Sequence, residues 1–333
     1  MTKQDKFDYI IVGAGSAGCT LAGRLTEDPS IRVLLLEAGG WDRDPWIHIP
    51  LGWGRILQKR LHDWMYFAEP SATMDGRRIE CARGKVIGGS SSINAMAYYH
   101  GHPTDYDRWA ATGLPGWSYA DVLPYFRRSE DWEGGADTWR GAGGPLTVRK
   151  TTFEDPLCEA FLDAARDAQY PFTEDYNGEQ PDGFTWMQAT LRHGRRWSAA
   201  AAYLHPALKR PNLTVKTKAL VERIEFDGER AIGIRYGQGG PSVSARAECE
   251  VILSGGTINS PQLLMLSGIG DPAHLRDHGI DVVMPLRGVG QNLADHTSSA
   301  FIFRRHDGGP FQRNMRFDRV VLSLIRAYLG KGG

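Results

Sequence analysis

The first forty residues alternate between apolar runs and a glycine-rich break. The apolar run FDYIIV at 7–12 is typical of a strand that is buried on both faces. A glycine-rich turn at 13–18 leads into an amphipathic run at 19–27, and a second apolar run follows at 31–36. The pattern therefore predicts a strand, a turn, a helix and a second strand, in that order.

The predicted turn carries glycines where a bound dinucleotide needs them. Gly13, Gly15 and Gly18 have the spacing in which the first glycine makes the turn, the second admits a pyrophosphate and the third lets the helix pack on the sheet. Glu37 lies near the distance at which a carboxylate accepts hydrogen bonds from a ribose and repels a 2′-phosphate. NADP is therefore disfavoured, NAD and FAD both remain open, and an ordinary glycine turn is the alternative.

The chain after Glu37 does not continue the strand–helix alternation of an NAD-binding domain. The stretches GGWDRDPWIHIPLGWG at 39–54 and HDWMYFAEP at 62–70 have neither a helical nor a strand period. A long stretch of this kind usually has a function or extends over a ligand. An NAD-dependent Rossmann dehydrogenase is therefore the less favoured alternative.

A regular pattern resumes at KVIGGSSSIN, residues 85–94, where a glycine pair lets a ligand approach the main chain. A cofactor too long for one turn, such as FAD, needs a second site of this kind. We expect the glycines to admit its pyrophosphate and flavin, and Ser90 and Ser91 to donate hydroxyl hydrogen bonds. A helix predicted over 92–99 would direct its positive end toward a reduced flavin. A serine- and glycine-rich loop before a helix cap is the plainer interpretation.

The rest of the chain predicts a second, interleaved domain. Further predicted strands lie at 144–150, 185–194, 220–226, 251–256 and 301–305, with a helix at 156–169 and a hairpin turn at 227–228. We predict an α/β fold of two interleaved domains, residues 1–143 with 197–298 and residues 144–196 with 299–333.

Composition and charge exclude several classes of partner. Lys and Arg together number 39, as do Asp and Glu. The chain therefore has no excess of basic residues of the kind that indicates binding to nucleic acid or to an anionic membrane. The four cysteines form no CxxC pair, which fits a reduced compartment. Without a signal-peptide pattern or an apolar stretch long enough to be a transmembrane segment, we expect a cytoplasmic protein.

Two long motifs resemble the signatures of the glucose/methanol/choline (GMC) family of FAD-dependent oxidoreductases. The first is GKVIGGSSSIN at 84–94, and the second is GTINSPQLLMLSGIG at 256–270. Blocks at 194–215 and 288–296 are similar to family blocks as well. The resemblance covers nearly the whole chain, and its pattern is nearest to choline- and alcohol-dehydrogenase-like members. It implies that the first of the two predicted domains is a Rossmann-like FAD-binding domain and the second a partial antiparallel-sheet substrate domain of α+β type.

The resemblance implies a bound FAD and assigns residues to its parts. Those implied for the ADP half are Gly13, Gly15, Ser16, Gly18, Glu37 and Ala38, with the backbone of Val221 at the adenine. Those implied for the flavin side are Gly84, Val86, Gly89, Ser90, Asn94, Ala95, Met96 and Ala97. Ile93 stands where a covalently flavinylated branch of the family has histidine, so the FAD is expected to be non-covalent.

The resemblance also implies a reaction. A small-molecule alcohol would give its hydride to the flavin while a histidine takes the hydroxyl proton. The family places this histidine in a C-terminal block that no residue here matches, so we expect an N-terminal portion and assign no catalytic residue. The electron acceptor is not indicated, and an FAD-binding fragment without turnover is the alternative.

The histidines of this chain supply neither a substitute base nor a predicted metal site. HGH at 100–102 lies in a loop rich in glycine and proline without further ligands, and HLRDH at 274–278 lacks the adjacent glutamate of a zinc protease. Asp295 and His296 resemble an orienting dyad, but we interpret them as part of a structural loop.

Overall fold

The computed structural model describes residues 6–151, 155–296, 304, 306 and 309–329. The chain divides into two compact units, each formed by separate segments. Unit 1 comprises Met1–Ile47, Leu51–Asn94 and Ser198–Ser299. Unit 2 comprises His48–Pro50, Ala95–Trp197 and Ala300–Gly333.

Strands and helices are numbered separately along the chain. The strands are β1 (Lys6–Val12), β2 (Val33–Glu37), β3 (Tyr66–Phe67), β4 (Glu80–Cys81), β5 (Glu130–Trp132), β6 (Leu146–Lys150), β7 (Gln188–Ala189), β8 (Leu191–Arg192), β9 (Arg195–Arg196), β10 (Leu213–Thr217), β11 (Leu220–Asp227), β12 (Arg230–Gly237), β13 (Val243–Leu253), β14 (Ile269–Gly270) and β15 (Met284–Pro285). The helices are α1 (Ser16–Leu25), α2 (Pro45–His48), α3 (Gly52–Lys59), α4 (Pro103–Ala111), α5 (Tyr119–Ser129), α6 (Pro156–Asp167), α7 (His205–Ala207), α8 (Gly256–Leu266), α9 (Pro272–Asp277), α10 (Pro310–Asn314) and α11 (Phe317–Tyr328).

Unit 1 is built on a six-stranded sheet with the strand order β10-β2-β1-β13-β12-β11. The first four strands are parallel, and β12 and β11 extend the sheet in antiparallel orientation. The register pairs Ile10 with Leu34 and Val12 with Leu36. Because parallel strands run in one direction, the carboxyl ends of β10, β2, β1 and β13 lie together, at what we call the carboxyl edge.

Successive residues of the central strands enter two hydrophobic cores on opposite faces of this sheet. Ile10 and Leu34 belong to the core that contains Leu263 of α8 and side chains of β11 and β12. Ile11 and Leu35 belong to the core that contains side chains of α1. Burial on both faces explains why the strands are continuously apolar rather than alternating.

The elements predicted at the start of the chain are confirmed, with shifted ends. The first strand, helix and second strand are β1, α1 and β2, although α1 begins at Ser16 and β2 at Val33. The predicted hairpin turn joins β11 to β12, and Gly228 in it has a φ of +59°. Positive φ at this position explains the glycine.

The stretch predicted to lack regular structure is partly regular. It contains the eight-residue helix α3 and the short antiparallel pair of β3 and β4. Among the described residues, no helix combines the length and apolar character that crossing a bilayer requires.

Unit 2 contains a three-stranded sheet in the order β5-β6-β7. β6 pairs antiparallel with β7 and parallel with β5, so this sheet is mixed. Helix α6 lies where a helix was predicted, whereas the predicted strand over 185–194 is divided into β7 and β8. The strand predicted over 301–305 lies outside the described residues except at Arg304.

Unit 2 begins earlier in the chain than the predicted substrate domain. Residues 95–143, predicted as part of the FAD-binding domain, belong to unit 2. The reason is that β5 pairs with β6, and Arg140 hydrogen-bonds to Glu130 and Gln188, so the chain on both sides of residue 143 folds together. The roles predicted for the two domains stay predictions.

Gly18 in the first turn of α1 has no room for a side chain. A Cβ atom there would lie 1.9 Å from the carbonyl oxygen of Gly13 and 3.0 Å from its carbonyl carbon. Gly54, in the first turn of α3, would have no atom within 4 Å of an added Cβ.

We expect Gly18→Ala to lower the free energy of unfolding by about 1–3 kcal/mol, because the turn backbone must shift to admit the methyl group. Gly54→Ala is the matched control and should raise the free energy of unfolding by about 0.5–1 kcal/mol, because alanine loses less backbone entropy than glycine when a helix folds. Urea denaturation followed by tryptophan fluorescence measures both. Equal effects of the two substitutions would refute the close packing of α1 on its turn.

Candidate functional site

The carboxyl edge of the unit 1 sheet begins with a tight turn after β1. The Gly13 amide donates to the carbonyl of Leu36 (2.8 Å), and the Ser254 amide donates to the carbonyl of Val12 (2.8 Å). Gly13 has a φ of +98°, and a Cβ atom on it would lie 2.5 Å from the Ser254 oxygen. Only glycine fits here, as the sequence predicts.

Helix α1 presents an open N-terminus at this edge. Gly15 is its N-cap, no side chain caps it, and no acidic residue lies in its first turn. Ser16 and Ala17 are exposed. A Cβ atom on Gly15 would meet nothing nearer than the Ser254 oxygen at 3.9 Å, so it would project into open space. Free amides and the positive end of the helix dipole there suit an anion such as a diphosphate.

The second glycine-rich segment lies directly against this turn. The Gly88 amide donates to the carbonyl of Ala14 (2.7 Å). A Cβ atom on Gly89, whose φ is +54°, would lie 2.7 Å from the Cα atom of Gly15. The two predicted close-approach sites, separated by about seventy residues in sequence, are therefore in backbone contact.

The segment 84–92 is held mainly by its own backbone and serine hydroxyls. The Ser91 hydroxyl donates to the Gly88 carbonyl (2.6 Å) and accepts from the Ala199 amide (3.1 Å). The hydroxyl proton of Ser91 is thus used within the protein, and the predicted donation from Ser91 to a cofactor stays a prediction. Ser90 is exposed and accepts from the Gly84 amide (3.2 Å), which leaves its proton free. Val86 is fully buried and forms a β-bridge with Gly40.

Glu37 organises the loops around it. One carboxylate oxygen accepts from the Ala14 amide (2.9 Å), and the other accepts from the Gly39 amide (2.8 Å). Burial raises the pKa of this carboxyl group, while the two amides and the charge of Lys85 act in the opposite direction. Each oxygen keeps one lone-pair direction, so the predicted contact with a ribose stays a prediction.

Residues 37–40 link the start of β11 to the site. The Ala219 amide donates to the Glu37 carbonyl (2.9 Å), and the Lys218 amide donates to the Gly39 carbonyl (2.7 Å). These bonds bring Val221, two residues further along, near Glu37 and the half-buried Ala38. The position is compatible with the predicted adenine contact.

Gly39 is a site residue that the sequence prediction missed. A Cβ atom on it would lie 1.9 Å from the Lys85 carbonyl oxygen, so the loop after β2 packs closely against the segment that leads into the second glycine turn. The signal that could have found it is the glycine pair that follows Ala38, two residues after Glu37.

The predicted helix over 92–99 is wrong. A short 3₁₀ turn, Gly89–Ser92, ends there, and Met96 has a φ of +65°. Ala97 forms an antiparallel bridge with Ala189, so the chain is extended and pairs with a distant segment. Consequently, no helix N-terminus exists at Ser92 to favour a reduced flavin. Asn94, Ala95 and Ala97 are exposed and Met96 is buried.

His100 and His102 make separate contacts in the structure. His102 caps α4 by accepting from the Thr104 amide (3.3 Å), and His100 stacks on Phe126 (4.7 Å between ring centroids), so the two serve different roles. In the Asp295 and His296 pair, the bond is from the His296 backbone amide to the Asp295 carboxylate (2.8 Å). Across the described residues, no group of three or more His, Cys, Asp or Glu side chains could hold a metal ion.

The family profile described as "GMC oxidoreductase" matches residues 7–298 of this chain. The chain belongs to the GMC oxidoreductase family. The match includes both glycine turns, α8 and the hairpin of β11 and β12.

Known relatives agree with this assignment. The chain is 54% identical over 300 residues to human mitochondrial choline dehydrogenase, covering 88% of this chain and 50% of that protein. It is 49% identical over 294 residues to the oxygen-dependent choline dehydrogenase of Sinorhizobium fredii (strain NBRC 101917 / NGR234), covering 88% and 53%. It thus spans about half the length of these relatives.

A solved structure supports the same fold. The FAD-dependent oxidoreductase from Chaetomium thermophilum superimposes with a TM-score of 0.85 at 32% identity. The match covers 98% of this chain and 59% of that one.

We expect Gly89→Ala to destabilise unit 1 by more than Gly228→Ala. Both glycines have a positive φ, +54° and +59°, so each alanine costs roughly 1–2 kcal/mol of backbone strain. Only the Gly89 substitution also places a methyl group against the Gly15 backbone. Guanidinium denaturation measures the difference. Equal losses would show that the two turns do not touch.

Proposed function

We propose that unit 1 binds FAD along the carboxyl edge, with the diphosphate at the α1 turn and the flavin beyond the second glycine turn. The proposal is carried by one observation, the backbone contact between Gly15 and Gly89. Two separate turns of this kind suit a ligand longer than a mononucleotide. Family membership supports FAD over NAD.

The residues of this chain have distinct roles in the proposal. The free amides after Gly15 donate hydrogen bonds to the diphosphate, and Ser90, whose proton is free, donates to the cofactor. Glu37 fixes the two loops beside it through the Ala14 and Gly39 amides and orients a ribose hydroxyl. When bound, FAD supplies the hydride acceptor for oxidation of a CH–OH group.

We propose that the FAD is non-covalent. Support comes from the side chain of Ile93, which is buried and has no nucleophilic atom to form a bond to a flavin.

We propose a choline-like alcohol as the substrate of the whole protein. The relatives from human and Sinorhizobium fredii are both choline dehydrogenases, at 54% and 49% identity. We propose that the protein is located in the cytoplasm. The human relative is mitochondrial, so fractionation of expressing cells is the experiment that distinguishes the two locations.

We expect Gly15→Ala to weaken FAD binding at least about tenfold while costing less than about 1 kcal/mol of stability. The added methyl group has room within the protein but enters the space assigned to the diphosphate. Gly240→Ala is the control, because a Cβ atom there likewise has room and meets nothing within 4 Å, but lies outside the proposed site. Titration with FAD, followed by flavin fluorescence, measures both affinities.

Wild-type affinity in Gly15→Ala would refute the diphosphate position. Anaerobic addition of choline then separates the two activities considered: bleaching of the flavin absorbance indicates alcohol oxidation, and an unchanged spectrum indicates FAD binding without turnover by this chain.

A further inference from the structure

The chain that follows α3 in unit 1 contains three non-glycine residues in the left-handed region within six positions. Arg60, His62 and Met65 have φ values of +48°, +58° and +64°. This conformation is uncommon outside glycine, and it persists only where the surrounding structure holds it. Strained backbone of this kind is concentrated at sites that bind a ligand. The contacts that hold this segment therefore indicate what it serves.

The Asp63 side chain holds the segment from within. It is 2% exposed, and the Arg60 side chain is 11% exposed. Asp63 Oδ2 accepts from Arg60 Nε (3.0 Å), and Oδ1 accepts from the Met65 amide (2.8 Å). Burial acts to raise the pKa of the Asp63 carboxyl group, but the hydrogen bonds from Arg60 and from two backbone amides hold this pKa below its usual range. The carboxylate is thus ionised and paired.

The same carboxylate reaches the segment that leads into the second glycine turn. Asp63 Oδ1 also accepts from the Arg83 amide (3.3 Å), and the Asp63 backbone forms an antiparallel bridge with Gly84. Beside this bridge, the Lys85 amide donates to the His62 carbonyl (2.6 Å). The two segments therefore form a short paired ribbon, which Asp63 joins through both its backbone and its side chain.

Gly84 connects this ribbon to the second glycine turn. A Cβ atom on Gly84 would lie 2.4 Å from the carbonyl carbon and oxygen of Gly89, so the two backbones are in close contact. The Gly84 amide also donates to the Ser90 hydroxyl (3.2 Å). Gly89 in turn lies against Gly15. A displacement of Asp63 would therefore be transmitted through Gly84 to Gly89 and Ser90.

We propose that Asp63, paired with Arg60, is a positioning residue for the second glycine turn, where it sets Gly89 and Ser90 for the flavin half of FAD. The inference rests on the proposed function, because that proposal assigns this turn to the flavin. All the residues involved belong to unit 1. Asp63 touches no reacting atom in this account. It acts by holding main chain in a conformation that the local sequence does not favour.

Two substitutions of Asp63 in the full 333-residue chain test the proposal. Asp63→Ala removes the bonds to Arg60, Met65 and Arg83 together. Asp63→Asn keeps an oxygen for the two backbone amides but places an amide group against the Arg60 guanidinium. It is the milder variant, in case the alanine variant does not fold.

Asn212→Ala is the matched control, because the Asn212 side chain also makes three hydrogen bonds. Its amide donates to the carbonyls of Thr26 (3.3 Å), Asp28 (2.8 Å) and Ile31 (2.7 Å). Asn212 directly precedes β10, so it lies at the amino end of the unit 1 sheet, opposite the carboxyl edge. Its substitution should lower the free energy of unfolding without displacing either glycine turn.

The readouts are the visible circular dichroism of bound FAD and the affinities for FAD and for ADP. Both Asp63 variants should change the dichroism and weaken FAD binding, by about tenfold for Asp63→Ala and by less for Asp63→Asn. ADP affinity should stay unchanged, because ADP lacks the flavin that the second turn receives. The Asn212 control should leave all three readouts at the wild-type values.

Unchanged dichroism and FAD affinity in a folded Asp63 variant would overturn the inference and leave the proposed function standing. An equal loss of ADP affinity, or an equal change in the Asn212 control, would overturn it as well, because the effect would then not be specific to the second turn. So would failure of both Asp63 variants to fold, since Asp63 would then serve the fold of unit 1 as a whole. Failure of the wild-type chain to bind FAD would instead refute the proposed function, and the inference with it.

Discussion

The close approach of two main-chain segments, at Gly15 and Gly89, is the constraint on which the rest of unit 1 depends. A Cβ atom on Gly89 would lie 2.7 Å from the Gly15 Cα atom, so no side chain can stand between the two turns. Their separation is fixed by the Gly88 amide, which donates to the Ala14 carbonyl (2.7 Å). The result is a surface made of amides and small hydroxyls, which suits the binding of a phosphate chain by hydrogen bonds rather than by charged side chains.

Buried polar groups hold the loops of both units by the same means. In unit 1 the Glu37 carboxylate binds the amides of Ala14 and Gly39, and burial raises its pKa. In unit 2 Arg140 pairs with Glu130 and donates to Gln188. Gln188 also accepts from Asn177, which binds the chain at residues 98–100. Groups of this kind cost free energy to bury, and they constrain loops that hydrophobic contacts alone would leave free to move.

Much of unit 1 could be predicted from the sequence because its signals are local. β1, α1 and β2 follow from hydrophobic runs and glycine spacing, and the turn at Gly228 follows from its position between two strand-like runs. The false helix over 92–99 has a different origin. Its conformation depends on pairing with residues 188–190, about ninety positions away, and on a positive φ at Met96, which no local pattern indicates. The bond from the Ala199 amide to the Ser91 hydroxyl was missed for the same reason, since the two residues lie 108 positions apart.

Amide hydrogen exchange in the presence of FAD or ADP tests the central claim most directly, because it reports each glycine turn separately. The account predicts that FAD slows exchange at both 13–18 and 84–94, whereas ADP slows exchange at 13–18 alone. Slowing by FAD at only one of the two turns, or at neither, would contradict a single cofactor bound along both.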